Sequence, residues 1–136
     1  MSALSDDWKW LEEPNKVEFE HTGIKCLILR DRFMWLGGYV GLESGHPHFG
    51  KHYRDIGVKG VHQGLNFSGR GDGQRRKEGL WWIGFYCDRP GDQVPGRMDN
   101  LKGGEVYRDI EYVRGEVKKL AEQMRDVKEQ GKNNGK

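Results

Sequence analysis

The chain has 136 residues, 35% apolar and 32% charged, enough for one domain with a single compact core. Its 23 basic and 21 acidic residues leave a net charge of +2, too balanced for a protein that grips duplex nucleic acid mainly by neutralising phosphates. No apolar run approaches the ~18 residues that span a bilayer, and Met1 to Trp10 is polar and acidic, unlike a signal peptide.

These features lead to the expectation of a cytoplasmic protein whose two cysteines, Cys26 and Cys87, are buried thiols. Glycine is the main deviation, with 21 residues against an average use of about 7%. The glycines are interleaved with aromatic and branched residues, which reads as tight turns and close backbone approaches within a sheet.

Residues 1–15 form a polar lead-in, with Trp8, Trp10 and Leu11 able to pin it to the body. The single domain is expected over residues 16–130. Val17-Glu18-Phe19-Glu20 alternates as a half-buried strand does, Thr22-Gly23 is a turn, and Ile24 to Leu29 completes a hairpin. Within that second strand Ile24, Cys26 and Ile28 share one face, and Lys25, Leu27 and Leu29 share the other.

A third strand is predicted over Phe33 to Val40, where Gly37-Gly38 marks a bulge or a close backbone approach. Gly41 to Lys59 loosens into a loop. Val58 to Phe67 reads as another short strand, Ser68 to Gly79 as the most polar stretch, with Arg70 to Lys77 a mobile, solvated hairpin tip, and Leu80 to Cys87 as a central strand covered on both faces. Asp88 to Gly104 is again loop. From Val106 to Val127 apolar residues recur every three or four positions, predicting a helix over about 109–129 capped by Asp109, with residues 131–136 a disordered tail. Its apolar stripe is expected to cover the sheet, and a heptad-like dimer seam is the minor alternative. The fold class is therefore α+β: a small, mainly antiparallel twisted sheet with long glycine-rich loops and one C-terminal helix packed on it.

Chemistry-bearing residues concentrate between Leu36 and Gly104. His46, His48 and His52 share one loop, but Pro47 and Gly50 preclude the helical spacing of a metal motif, so neither a metal nor another cofactor is expected. Read as a strand, the next segment places His62, Gly64, Asn66 and Ser68 on one face. That is a polar surface with a small residue where a ligand can approach. Asp92 lies beyond the Leu80 to Cys87 strand, where a carboxylate serves as a general base, a ligand acceptor or a turn cap. Arg70, Arg75 and Arg76 offer guanidinium groups to a phosphate, although no Walker loop is present.

Gly-Gly-Tyr-Val-Gly, Gly-His-Pro, the His62 to Gly69 segment, Leu-Trp-Trp-Ile-Gly-Phe, Pro-Gly-Asp and Tyr-Arg-Asp-Ile-Glu-Tyr-Val occur in this order. With them the chain resembles, from Val17 to Met124, a family of small uncharacterised proteins encoded by tailed phages and prophages. Family members tend to read His-Gly-Gly-Leu-Thr at His62 and Phe-Asp-Cys-Ala-His-x-Gly-Asp at the strand end. Here Gln63, Asn66 and Tyr86 differ, and Asp88-Arg89-Pro90 replaces the Ala-His. His62 and Asp92 match and are the positions carried over.

The resemblance implies an accessory phage protein of the host cytoplasm that blunts host defence. The first reading is a module sequestering a small anionic, nucleotide-like ligand. Trp82, Tyr39, Trp35 or Trp81 would stack a base, Arg70, Arg75 or Arg76 would meet phosphate, and His62, Gly64, Asn66 and Asp92 would line the floor. The alternatives are a protein–protein inhibitor of a host defence factor, and a nucleotide hydrolase using His62 and Asp92 as its acid–base pair. No membrane and no sequence-specific nucleic-acid partner is expected, and self-association is left open.

Overall fold

In the computed structural model the described residues are 11–31, 34–88, 92 and 106–134, with side chains to residue 131. Five strands form one open antiparallel sheet: β1 Lys16–His21, β2 Ile24–Arg30, β3 Leu36–Leu42, β4 Phe67–Arg70 and β5 Trp81–Tyr86, in the order β1-β2-β3-β5-β4. The helix α1, Ile110–Asn134, packs across β2 and β3.

The β1–β2 hairpin turns on Thr22 and Gly23, both at positive φ (53° and 79°), as the twist of a two-residue connection demands. β2 divides by alternation. Ile24, Cys26 and Ile28 join the core beneath α1, while Leu27 and Leu29 join a second cluster on the far face. The inner strand β5 divides likewise, sending Ile83 and Phe85 to the helix and Trp82 to the other side. Gly37 and Gly38 lie within β3, which runs from Leu36 to Leu42. A Cβ on Gly38 would stand 2.5 Å from both Phe85 Cζ and Val117 Cγ2, so the missing side chain is what brings helix and sheet together.

Val113, Val117, Leu120, Ala121 and Met124 form the fully buried stripe of α1. Asp109 Oδ1 caps the helix by accepting from Tyr112 N at 2.8 Å. The helix does not end at Gly131 as expected but continues to Asn134. Glu13, in the polar lead-in, accepts from Ile110 N at 2.9 Å and from the Tyr107 hydroxyl at 2.6 Å. It also faces the buried Arg30, whose Nη1 donates to Tyr107 at 2.8 Å. Among the described residues, this network fastens the segment to the body. Leu11 is exposed there, and Trp8 and Trp10 lie outside the described residues.

One further expectation is corrected: residues 58–66 are not a strand, and strand pairing starts only at Phe67. The segment after Arg70 is a mostly exposed hairpin loop between β4 and β5, tied down at Arg76, which stacks over Phe67 (4.4 Å) and Tyr39 (5.1 Å), and at Lys77, whose carbonyl accepts from Trp82 Nε1 at 2.9 Å. The loop thereby folds back over the sheet face opposite α1. Both cysteines are free and buried. Burial pushes the Cys26 thiol up to about 12, as expected of an inert thiol. Among the described residues no helix is long and apolar enough to cross a membrane.

Candidate functional site

Three separate pieces of chain build a polar cluster at the edge of the helix–sheet interface. The first is a tight turn, with Gly64 N donating to Val61 O at 2.8 Å and Gln63 and Gly64 at φ 48° and 84°. It sends His62 inward, its ring 5.9 Å from that of Phe85 and edge-on to Tyr112 at 5.3 Å. The helix holds this loop in place. Gln123 exchanges two hydrogen bonds with the Lys59 backbone (2.9 and 2.7 Å), and Lys119 Nζ donates to Gly60 O at 2.9 Å.

The second piece follows β5. Cys87 N donates to Leu36 O at 2.9 Å, which fixes the thiol at the strand end, and Asp92 forms an isolated parallel bridge with Val106. The third is the start and flank of α1, where Arg108, Tyr112, Glu116 and Lys119 step by four, four and three along one side.

The Asp92 side chain is fully buried, and its two oxygens face different donors: His62 Nε2 at 2.7 Å and Arg108 Nε at 2.8 Å. The imidazole is 3% exposed, and its Nδ1 lies 2.6 Å from the Tyr112 hydroxyl. An ionised Asp92 makes Nε2 the protonated nitrogen. A neutral ring then accepts the Tyr112 proton at Nδ1, giving an ordered Asp92–His62–Tyr112 chain.

Burial, reinforced by the nearby Glu116 carboxylate, raises the Tyr112 pKa and keeps the phenol protonated. The bond to Asp92 raises the Arg108 pKa further. The Arg108 guanidinium lies 4.8 Å over the Tyr112 ring, a cation–π contact that braces both. The Cys87 thiol is pushed well up by burial and then by the Asp92 charge. Its Sγ, a nitrogen of His62 and an oxygen of Asp92 all lie within 4.8 Å of one another.

Outside this cluster is an open concavity of about 500 Å³, lined by Gly60, Val61, Gln63 and the polar side chains of His62, Arg108, Tyr112, Glu116 and Lys119. Glu116 is nearly buried and pairs with Lys119 at 2.7 Å. The rim thus offers two cations, a carboxylate and a phenol.

Of the residues expected to share a site, His62 and Asp92 come together. Gly64 adjoins them, its positive φ serving the turn and open space lying where a Cβ would stand. Asn66 donates from its backbone to Gly84 O at 2.9 Å, while its buried Oδ1 has no hydrogen-bond partner among the described residues. Tyr39 and Trp82 do not join them, because alternation sends both to the far face of the sheet, near Trp35, Phe67, Tyr86 and Arg76. Arg75 is on that side too, donating to Arg30 O at 3.3 Å. Trp81 points to the helix face and donates from Nε1 to Lys51 O at 2.8 Å. Arg70 is exposed opposite it, four residues along β5 from the strand position that touches His62.

Two histidines of the loop have other duties, while the buried Nδ1 of His48 has no hydrogen-bond partner among the described residues. His46 Nε2 donates to Met124 O at 2.9 Å and its Nδ1 accepts from His48 N at 2.9 Å, so neither nitrogen is left for a metal. His52 Nδ1 caps a short 3-10 turn, Tyr53–Asp55, by accepting from Arg54 N at 3.1 Å. Arg108, Tyr112, Glu116 and Lys119 were missed because the apolar stripe of α1 drew the helix wholly into the core. Their regular spacing along its flank was the available signal.

A scan against protein-family models matches none, and searches of curated proteins and of solved structures give no significant match.

Proposed function

We propose that the chain binds a small anionic, nucleotide-like ligand in the concavity beside His62, Arg108 and Tyr112, sequestering it in the anti-defence setting that the resemblance implies. The observation carrying this reading is the pre-built polar floor. Asp92, His62, Arg108 and Tyr112 brace one another through contacts of 2.6–2.8 Å before any ligand arrives, so little ordering cost falls on binding. In this reading the Arg108 and Lys119 side chains meet phosphate oxygens, and Glu116 accepts from base or ribose donors. A volume of about 500 Å³ suits a mononucleotide-sized guest.

A second reading, hydrolysis of the same ligand, is favoured by the Asp92–His62–Tyr112 chain. Asp92 would fix the ring tautomer and His62 would take a proton through the Tyr112 hydroxyl, giving His62 and Asp92 the roles of base and orienting carboxylate.

Incubating the protein with linear and cyclic nucleotides, denaturing it, and separating what is released by mass-detected chromatography tests both. An unchanged nucleotide in near-stoichiometric amount, lost in Arg108→Ala, supports sequestration. A processed one supports catalysis. No binding across the panel refutes both and leaves inhibition of a host protein as the surviving reading.

A further inference from the structure

We infer that His62, Cys87 and Asp92 form a zinc-class metal site with one coordination position left for water or a ligand. The three side chains come from different parts of the fold, yet their donor atoms converge within 4.8 Å, and all three residues are buried. Imidazole nitrogen, thiolate sulfur and carboxylate oxygen are the donors that zinc takes, and three of them with an open fourth position is the arrangement of catalytic rather than structural sites.

The surroundings match as well. A ligating histidine characteristically donates its other N–H to a fixed acceptor, and a ligating carboxylate is itself hydrogen-bonded. Here the second nitrogen of His62 meets the Tyr112 oxygen at 2.6 Å, and the other oxygen of Asp92 takes Arg108 Nε at 2.8 Å. Tetrahedral coordination requires the ring and carboxylate to part from their 2.7 Å contact to about 3.3 Å. As the metal enters, the ring proton moves to Nδ1, which then donates to Tyr112. Cys87 releases its proton to solvent as the zinc–sulfur bond forms.

This departs from the expectation that no metal is present, and it shifts the candidate ligands away from the loop of His46, His48 and His52. It does not depend on the nucleotide reading, since the metal is read in the absence of any nucleotide.

The test is titration of the chelator-stripped full chain with Zn2+ against a chromophoric competitor, and with Co2+ followed by absorption. The expected result is one equivalent bound with a Kd below about 1 µM, and a sulfur-to-cobalt charge-transfer band that Cys87→Ser abolishes. Tyr112→Phe, which keeps all three donors, weakens binding about 10–100-fold. His52→Ala leaves it unchanged. A wild-type chain without saturable one-equivalent binding overturns the inference whatever the variants do. So does a cobalt spectrum that is identical in folded Cys87→Ser.

Discussion

Replacing Asp92 with alanine tests how the polar cluster contributes to stability as well as to the site. Its carboxylate is fully buried and receives hydrogen bonds from His62 Nε2 at 2.7 Å and Arg108 Nε at 2.8 Å. The two donors do not suffer equally from its loss. His62 is 3% exposed, so its N–H is stranded without water, at a cost of about 1–3 kcal/mol. Arg108 is 25% exposed and can turn to solvent, which limits its share to under ~1 kcal/mol. The expected loss is therefore about 1–4 kcal/mol, or a urea midpoint lower by about 0.5–2 M. The measurement is equilibrium urea unfolding in excess chelator, so that no metal contributes. His62→Ala and the double variant complete a cycle, with an expected coupling of about 1–2 kcal/mol. A loss below ~1 kcal/mol, or strict additivity with His62→Ala, would refute the claim that these groups act as one unit.

Two further predictions concern the core and its response to acid. Gly38→Ala should cost about 1–3 kcal/mol, because its Cβ meets two fully buried side chains at 2.5 Å. The exposed mid-helix Gly115→Ala, whose Cβ meets open space, should instead stabilise by about 1 kcal/mol. Thermal unfolding of both reads the contrast, and equal effects would argue against a glycine-mediated helix–sheet approach. Burial lowers the folded-state pKa of His46 below 6.5, and that of His48 likewise, helped by Lys51 and His46. The unfolded chain therefore takes up these protons first. Stability is full above about pH 6.5 and falls as the pH drops toward the folded-state values, by at most ~1.4 kcal/mol per pH unit per proton. His46→Gln should flatten the decline in midpoint between about pH 7 and pH 5, and a variant with the parental slope would exclude His46 as a source.

The sheet was legible because alternation along Ile24 to Leu29 and the apolar run from Leu80 to Cys87 leave few ways to bury those side chains. The helix was legible from its spacing, and its start from Asp109. What period-two reasoning could not see was the turn at Gln63 and Gly64. There both residues take positive φ, so the alternation read through His62, Gly64, Asn66 and Ser68 does not exist. Tyr39 and Trp82 were assigned to the same site as His62 because sequence proximity carries no information about which face of a sheet a residue occupies. The pairing of His62 with Asp92 crosses 30 positions and rests on the loop ties to Lys119 and Gln123. Neither residue's local pattern announces those ties.

Adjacent residues on β5 also give the molecule two optical reporters. Trp81 faces the helix side, bonded to the backbone of the histidine loop, and Trp82 faces away, bonded to the loop that carries Arg76. In a chain whose other three tryptophans are Phe, a single Trp→Phe replacement at either neighbour would leave the emission of one layer alone in view. A ligand or metal that enters beside His62 can then be told apart, by fluorescence alone, from one that settles against the aromatic face behind the sheet.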